Sequence, residues 1–373
     1  MRVLLSGGGS GGHIYPALAI VRGLAQADRH TIFLYVGTNH GLERDLVLRE
    51  NIAFRAIHAR GLLVPGILGK AAGAAAALRG VWDAVGILRA FRPDVVVGTG
   101  GYVSGPVGLA AGLMKIPLVI QEQNAFPGLT NRSLARRASA VLVPFEEAVH
   151  YFPPRTRVIL AGNPVEVPQS RLTRIAARQE LKLDPNARVL MATGGSQGAE
   201  AINQLMLTLL PEVMARREFG MIWATGKRYY QDVLTQIKRH YPQGLDSKRV
   251  QVVEYFYQIQ TVYQACDLFV GRAGAMTLTD CQAFGVPMVL IPSPHVSEDH
   301  QTRNAEAIAQ RGAGMMLVEE QLERRSHEVL ELLADESRLA GMGMRAAQAH
   351  DGNALDRIVQ TILQVGGRAG RRS

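Results

Sequence analysis

The chain has 373 residues, of which 47% are hydrophobic and 20% are charged. Because single domain cores stop growing near roughly 250–300 residues, this length favours two domains, and the composition argues against wholesale disorder. The formal net charge of +9 predicts an anionic partner, such as a phosphorylated substrate or an acidic lipid surface. Zinc-finger spacing, RRM-like aromatic signatures and bZIP-like basic helices are absent from the sequence, so we expect no nucleic-acid partner.

Cysteine usage and the amino terminus both indicate a reducing compartment. Only Cys266 and Cys281 occur, outside any C-x-x-C pair, so no disulfide framework or structural zinc site is expected. The first apolar strand runs directly into glycines, without the features of a signal peptide. Residues 61–91 come nearest to a membrane span, but four charged residues interrupt them, so we expect no transmembrane helix.

Short apolar runs alternate with longer helical patterns along the whole chain. In chain order the predicted strands are residues 3–6, 31–36, 95–98, 118–121 and 140–143, then 189–193, 220–225, 250–254, 268–271 and 288–291. This alternation is the signature of βαβ units. We therefore predict an α/β fold with mainly parallel sheets covered by helices on both faces.

Each half of the chain opens with a strand followed by glycines. Residues 8–12 read G-G-S-G-G, and residues 194–198 read G-G-S-Q-G. Glycine allows close backbone approach, and the next helix directs its first N–H groups into the crevice, so each loop is expected to hold an anion. G-N-P-V at residues 162–165 predicts a domain boundary, and the basic residues 365–373 predict a frayed tail.

His13 closes the first glycine loop and is expected at the start of a helix. The positive end of the helix dipole favours a neutral imidazole that accepts a proton, which suits a general base. A helix-capping or structural histidine is the alternative. Neither glycine loop has the G-x-G-x-x-G spacing with a later acidic residue, and no Walker A pattern occurs, which argues against dinucleotide and P-loop sites.

Two further segments are expected on the same edge of the first sheet. G-T-G-G-Y-V-S-G-P at residues 98–106 and Q-E-Q-N at residues 121–124 each end a predicted strand. Because the carboxyl ends of parallel strands meet at one edge, both loops are expected to face the ligand crevice, and the polar side chains of the second suit sugar hydroxyls. Tight turns and capping of the following helices are the alternatives.

The second half contains G-R-A-G-A-M-T-L-T-D at residues 271–280, directly after a predicted strand. Arg272 offers a planar donor fork to phosphate, and Asp280 lies about two turns into the next helix, where a carboxylate accepts from a ribose diol. A surface ion pair between the two is the alternative. P-S-P-H at residues 292–295 and H-Q at residues 300–301 follow the next strand.

In this order, the motifs resemble those of the MurG family. Its members are the bacterial N-acetylglucosaminyl transferases that convert lipid I to lipid II in peptidoglycan synthesis. In the first half the resemblance rests on G-G-G-S-G-G-H (7–13), G-G-Y-V-S-G-P (100–106), E-Q-N (122–124), G-L-T-N (128–131) and G-N-P-V (162–165). In the second half it rests on G-G-S-Q-G-A (194–199), R-A-G-A-x-T-L (272–278) and H-Q-x-x-N-A (300–305).

The resemblance implies a GT-B fold, with two Rossmann-like domains separated by a cleft. Residues 1–162 are expected to hold the acceptor and the membrane surface, and residues 163–349 to hold UDP-GlcNAc. A C-terminal helix near residues 350–365 is expected to pack back on the first domain. The family needs no cofactor and no metal, and the sequence itself lacks an Asp-x-Asp pair that would chelate a cation.

The resemblance also assigns roles to individual residues. His13 is the expected catalytic base. The expected donor contacts are Ser10, Gly11, Gly12, Asn124, Ser196, Gln197, Phe256, Arg272, Ala275, Met276, Thr277, Asp280, His300 and Gln301. The expected acceptor side comprises Gly100, Gly101, Tyr102, Glu122 and Gln123. Two positions depart from the family pattern: Asp280 stands where glutamate is usual, and Glu166 stands where arginine is frequent.

Family members dock on the inner leaflet through an apolar patch ringed by basic residues. The apolar candidates here are Leu62, Leu63, Val64, Ile67, Leu68 and Trp82. The basic candidates are Lys70, Arg79, Arg89 and Arg92. Such a patch combines apolar burial with attraction to anionic lipid. A core helix is the alternative reading for Trp82.

We therefore predict an inverting transferase that moves GlcNAc from UDP-GlcNAc to the C4 hydroxyl of lipid I. The expected location is the cytoplasmic face of the cell membrane, as a peripheral protein. Its expected partners are UDP-GlcNAc, lipid I and the anionic membrane surface, with other cell-wall synthesis proteins as candidates. A UDP-GlcNAc 2-epimerase and a non-catalytic nucleotide-sugar-binding scaffold are the alternatives.

Overall fold

The computed structural model describes residues 1–59, 67–165, 167–168, 170–195, 197–294 and 300–369, with the backbone alone for residues 67–75 and 368–369. The chain forms two compact units. The first comprises Met1–Glu166 together with Gly352–Ser373, and the second comprises Val167–Asp351. The sequence-based boundaries after residues 162 and 349 fall a few residues before these divisions.

The first unit is a seven-stranded parallel sheet with helices on both faces. Its strands are β1 (Arg2–Gly7), β2 (Ile32–Gly37), β3 (Ala53–Ala56), β4 (Val95–Gly100), β5 (Leu118–Gln121), β6 (Ala140–Val143) and β7 (Val158–Leu160). The helices within this part of the chain are α1 (Gly11–Ala27), α2 (Leu42–Arg49), α3 (Ile67–Phe91), α4 (Gly101–Leu113) and α5 (Leu129–Leu134). The strand order is β3-β2-β1-β4-β5-β6-β7. The order reverses between β1 and β4, at the kind of switch point where α/β sheets bind ligands.

The central strands of this sheet are apolar at almost every position because helices cover both faces. Val3, Leu4 and Leu5 of β1 are all fully buried. The pairing of β1 with β4 shifts in register after Ser6, so that Gly7 pairs with Gly100. This irregularity stands where the two glycine loops leave the sheet.

The second unit repeats the plan with a six-stranded parallel sheet. Its strands are β8 (Arg188–Thr193), β9 (Phe219–Ala224), β10 (Val250–Val253), β11 (Leu268–Gly271), β12 (Met288–Leu290) and β13 (Gly314–Met316). Its helices are α6 (Arg174–Glu180), α7 (Glu200–Ala215), α8 (Tyr230–His240), α9 (Ile259–Ala265), α10 (Ala275–Phe284), α11 (His300–Gln310), α12 (Leu322–Arg325), α13 (His327–Ala334) and α14 (Glu336–Gln348). The order β10-β9-β8-β11-β12-β13 places the switch point between β8 and β11.

The last helix, α15 (Ala354–Ala369), belongs to the first unit and packs against α1. The two helices approach closely at Gly23, where a Cβ would lie 2.9 Å from Val359 Cγ2. A larger residue at this position of α1 would push the two helices apart.

The predicted α/β class with parallel sheets is confirmed. The sequence analysis did not predict strands β3, β7 and β13. Each of them lies at the edge of its sheet. An edge strand has one neighbour and one exposed side, so its residues need not form a continuous apolar run. In β3, exposed and half-buried side chains alternate.

Candidate functional site

The loop after β1 places His13 in the first turn of α1. Gly9 has a φ of +86°, a conformation that glycine adopts without strain, and it turns the chain from strand into helix. Ser10 is the N-cap residue, but its hydroxyl makes no bond to a helix amide and instead lies 3.2 Å from His13 Nδ1. The segment Ser10, Gly11 and Gly12 therefore leads directly into the histidine.

His13 is held through its ring and through its backbone. Nδ1 lies 3.2 Å from the Gly8 carbonyl oxygen, which only accepts, so we assign the proton of the neutral ring to Nδ1. The Thr99 hydroxyl donates to the His13 carbonyl at 2.6 Å, which links this loop to the end of β4. In this tautomer Nε2 is the nitrogen that accepts a proton, as a general base requires.

Gly100 and Gly101 pack directly on the histidine loop. Both have positive φ angles, +108° and +77°. A Cβ on Gly101 would lie 2.1 Å from the Gly8 carbonyl oxygen, and a Cβ on Gly100 would lie 2.8 Å from His13 Cδ2. The ring of Tyr102 also lies against this loop. The structure thus brings three of the predicted acceptor-side residues together with the predicted base.

Glu122 organises the loop after β5 from inside it. Its side chain is buried, and Oε1 accepts from the backbone N–H groups of Gln123 and Asn124 and from the Asn124 amide. Oε2 accepts from the Gly128 N–H and from the Asn131 amide. Five donors thus surround the carboxylate and fix the shape of the loop that carries Asn124.

Gln123 is also internal. Its Nε2 donates to the Thr99 carbonyl at 2.9 Å and to the Gln121 carbonyl at 3.0 Å. Asn163 Nδ2 in turn donates to the Gln123 carbonyl at 3.0 Å. This buried amide network ties the G-N-P-V segment to the loops after β4 and β5. Gln123 and Glu122 therefore shape the acceptor-side loops from within.

Three residues that the sequence did not single out also support these loops. Thr99 binds the His13 backbone. Asn131 is buried on α5, and its Nδ2 lies 3.4 Å from the place of a Cβ on Gly100. Glu43 is fully buried on α2 and packs against Gly8. The G-L-T-N motif carried a signal for Asn131, whereas Glu43 lies in no motif that we recognised.

In the second unit, the loop after β8 is a tight glycine turn. Gly195 and Gly198 have φ angles of +85° and +80°. A Cβ on Gly198 would lie 2.1 Å from the Thr225 carbonyl oxygen, so only glycine lets this loop pack against the end of β9. Gln197 is exposed on the turn, while the predicted contact Ser196 lies outside the described residues.

The N-terminus of α10 offers backbone N–H groups to an anion. Its N-cap residue Gly274 has no side chain, and the Leu278 N–H donates to the Gly274 carbonyl at 3.0 Å. The amides of Ala275, Met276 and Thr277 precede that bond and have no intrahelical acceptor. Together with the helix dipole, these amides suit a phosphate group.

The loops after β8 and β11 start side by side. Thr193 and Gly271 are paired in register at the ends of the two strands. Arg272 follows, and its Nη1 donates to the carbonyl oxygens of Ile291 at 3.0 Å and Pro292 at 3.1 Å. The guanidinium is therefore docked against the end of β12, beside the start of α10.

Gln301 and Phe256 lie on segments that follow two other strands of the same sheet, β12 and β10. Gln301 Oε1 accepts from the Ser293 N–H at 2.9 Å, which joins the start of α11 to the loop after β12. His300 precedes it as the first residue of α11. The side chain of Phe256 is buried in the core beyond β10, so a ligand contact there would involve its backbone. Over the described residues, no group of three His, Cys, Asp or Glu side chains is placed to hold a metal ion.

Asp280 lies on α10 in surroundings that disfavour its charged form. Burial raises the pKa of its carboxyl to about 7. Its neighbours Cys281 and Tyr263 are both buried. A hydroxyl group that donates to this carboxylate would stabilise the ionised form.

Asp280→Asn is expected to change how the melting temperature depends on pH. The folded-state pKa is raised, so the protonated form stabilises the wild type, and this contribution is lost as pH rises from about 4 through about 7. The Tm of the wild type relative to the variant should therefore fall across this range, as scanning fluorimetry at several pH values would show. A Tm difference that stays constant with pH would contradict the raised pKa.

The predicted membrane patch lies only partly within the described side chains. Six of its members have no described side chain: Leu62, Leu63, Val64, Ile67, Leu68 and Lys70. Farther along α3, Trp82 is 77% exposed and Leu78 is 67% exposed, with Arg79 exposed between them. Trp82 is therefore not a core residue. Within the described ranges, none of the helices combines enough length with enough apolar character to cross a bilayer.

Comparison with known proteins agrees with this architecture. Residues 3–143 match the glycosyltransferase family 28 N-terminal domain, and residues 189–358 match the C-terminal domain of the same family. The crystal structure of Acinetobacter baumannii MurG superposes with a TM-score of 0.72 at 27% identity, covering 97% of this chain and 99% of that one. The UDP-GlcNAc 2-epimerase from Neisseria meningitidis has a TM-score of 0.65 at 16% identity, covering 98% and 100% of the two chains, which shows a shared fold alone.

A relative with a similar sequence shows which members of glycosyltransferase family 28 this chain resembles. The UDP-N-acetylglucosamine–N-acetylmuramyl-(pentapeptide) pyrophosphoryl-undecaprenol N-acetylglucosamine transferase of Moorella thermoacetica is 41% identical, and the match covers 98% of this chain and 99% of the relative. With both domains of family 28 present and the similarity spanning the chain, this protein belongs to the MurG family of glycosyltransferases.

Proposed function

We propose that this protein transfers GlcNAc from UDP-GlcNAc to the C4 hydroxyl of the N-acetylmuramyl residue of lipid I, which gives lipid II. The observation that carries the proposal is a distinct site at each of the two switch points. The first has a glycine loop with a fixed histidine, His13. The second has a glycine loop, a helix N-terminus and an arginine, Arg272. A base and an anion site are the two parts that such a transfer needs.

The second unit holds the donor nucleotide in this proposal. The diphosphate meets the first amides of α10, the loop of Ser196 and Gln197, and the guanidinium of Arg272. The ribose hydroxyls donate to Asp280, and the uracil pairs with the backbone of Phe256. Support comes from the first N–H groups of α10, which have no acceptor within the helix, and from the side-by-side start of the loops after β8 and β11.

The sugar of the donor is assigned to the start of α11. Gln301 uses its side-chain oxygen to accept from the Ser293 N–H, so its amide N–H groups are directed by that bond. An amide fixed in this way is suited to bind a sugar hydroxyl. His300 lies beside it.

The chemistry is a direct displacement with inversion. The C4 hydroxyl oxygen of the acceptor attacks the anomeric carbon of GlcNAc while Nε2 of His13 takes its proton. The new glycosidic bond forms as the bond from the anomeric carbon to the phosphate oxygen breaks, and UDP leaves with that electron pair. The Gly8 carbonyl, bonded to Nδ1–H, stabilises the resulting imidazolium, and the amides of α10 together with Arg272 stabilise the negative charge on UDP.

Transfer is tested by following UDP release from UDP-GlcNAc with and without a lipid I analogue. We expect release to require both substrates and radiolabelled GlcNAc to appear in the lipid product. A 2-epimerase would change the donor sugar without any acceptor, and a scaffold would bind UDP-GlcNAc without releasing UDP. Either outcome would overturn the proposal.

The protein is further proposed to act at the cytoplasmic face of the membrane, where its acceptor is anchored. Trp82 and Leu78 present exposed apolar surface on α3, and the exposed Arg79 lies between them in sequence. Exposed apolar side chains beside a cation suit an anionic lipid surface, and the net charge of +9 acts in the same direction.

Trp82→Ser is expected to lower binding to vesicles that contain anionic phospholipid by roughly tenfold, because a large apolar side chain no longer enters the interface. Cosedimentation with the vesicles measures this. Met344→Ser is the matched control, since Met344 is 63% exposed on α14 in the other unit. Equal losses in both variants, or full binding by Trp82→Ser, would remove Trp82 from the membrane contact.

A further inference from the structure

A carboxylate contacts the guanidinium that is proposed to hold the donor diphosphate. Glu319 begins the 3-10 turn Glu319–Gln321 after β13, and its Oε1 lies 2.5 Å from Arg272 Nη1. The two side chains are only 26% and 17% exposed, so solvent screens this pair less than it screens a surface pair. The positive charge of Arg272 is therefore offset from within the protein.

The orientation of Arg272 comes from other contacts. The two N–H groups of Nη1 are accounted for by the carbonyl oxygens of Ile291 and Pro292. Glu319 Oε1 is close to the same nitrogen but has no hydrogen-bond partner among the described residues. Glu319 thus contributes charge to Arg272, and the two carbonyls contribute direction.

Arg272 has donors left for a ligand. Its Nε and Nη2 N–H groups have no acceptor in the part of the chain that the structure describes, whereas Nη1 is engaged. An Nε–Nη2 edge is the fork that binds a phosphate with two parallel hydrogen bonds. The diphosphate and Glu319 would then meet different edges of one cation.

We infer that Glu319 lowers the affinity of the protein for UDP by offsetting the charge of Arg272, and that this speeds release of the nucleotide product. The inference rests on the proposed donor role of Arg272. A negative charge 2.5 Å from the guanidinium weakens its attraction for a second anion. Binding donor and product equally tightly does not accelerate the chemical step, and product release frequently limits turnover.

The test compares the UDP affinity of Glu319→Gln with that of the wild-type full chain by titration calorimetry. The variant is expected to bind UDP roughly three- to tenfold more tightly, the range expected for removing one partly screened charge. The gain should shrink at high salt, because screening weakens the charge that was removed. Inhibition of transfer by added UDP should strengthen to the same extent.

Glu320→Gln is the matched control, because it removes the same charge from the next residue, whose side chain is exposed. It is expected to leave UDP affinity unchanged. Glu319→Asp is a second variant that withdraws the carboxylate by one methylene, so it is expected to give a smaller gain in the same direction. If the melting temperature of Glu319→Gln shows that this variant does not fold, Glu319→Asp takes its place in the measurement of UDP affinity.

Weaker or unchanged UDP binding by Glu319→Gln would overturn the inference, because Glu319 would then orient Arg272 or have no influence on it. In an Arg272→Ala background, Glu319→Gln should no longer strengthen binding. If Arg272→Ala itself leaves UDP affinity unchanged, the proposed donor role fails and the inference with it. If Arg272→Ala weakens binding but Glu319→Gln brings no gain, the inference alone fails.

Discussion

Replacing His13 with alanine is expected to lower kcat by about 10²- to 10⁴-fold while the affinity for UDP-GlcNAc stays near that of the wild type. The reason is the placement of the ring, whose Nδ1 is engaged by the Gly8 carbonyl 3.2 Å away, so that Nε2 is the proton acceptor. A base acts in the transition state, so its loss falls on kcat rather than on donor binding. UDP release at saturating substrates measures kcat, and calorimetry measures donor affinity.

His240→Ala is the matched control for this prediction. His240 is the last residue of α8 in the second unit and is exposed, so its replacement removes the same ring from a residue that has no part in the proposed chemistry. Near-normal kcat in His13→Ala would remove the assignment of His13 as base. A loss of donor affinity as large as the loss of kcat would assign His13 to substrate binding instead.

The glycine loops and the central strands could be predicted from the sequence for definite physical reasons. Gly9, Gly101 and Gly198 have positive φ, and a Cβ on Gly101 or Gly198 would lie 2.1 Å from a backbone oxygen. Such positions restrict the residue to glycine, so they are visible as G-rich motifs. Central strands such as β1 are buried on both faces and therefore read as unbroken apolar runs.

The roles of polar side chains on those loops depend on contacts that the sequence does not show. The motif predicts Gln123 on the acceptor side, and the structure shows its side chain buried and its carbonyl accepting from Asn163, 40 residues along the chain. The contacts of Arg272 with Pro292 and Glu319 arise only once β11, β12 and β13 lie side by side. A motif therefore predicts where a loop lies, and the packed sheet decides which of its side chains reach a ligand.

Gly101→Ala is expected to lower kcat by about 100-fold or more, because small displacements of catalytic groups are costly. A side chain at a φ of +77° is strained, and its Cβ would lie 2.1 Å from the Gly8 carbonyl oxygen. That oxygen is a backbone atom, so the loop has to move as a whole, and it is also the acceptor for His13 Nδ1. We expect a loss of about 2–3 kcal/mol in the free energy of unfolding of the first unit.

Gly105→Ala controls for adding a methyl group to the same helix, α4. A Cβ there would lie 3.5 Å from Thr130 Cγ2, an ordinary contact, and alanine favours helix more than glycine does. We expect its Tm to be unchanged or slightly higher and its transfer rate to be retained. Scanning fluorimetry and the UDP-release assay, applied to both variants, separate the cost of strain from the cost of a methyl group.

The kcat losses of His13→Ala and Gly101→Ala should not multiply in the double variant, because both substitutions act on the same imidazole. If Gly101→Ala slows transfer by turning His13 through the Gly8 carbonyl, then in a His13→Ala background it has no base left to displace. The double variant should therefore lose little more kcat than His13→Ala alone, although its Tm should still fall. Full multiplication of the two kcat losses would show that Gly101 supports transfer by a route other than the orientation of His13.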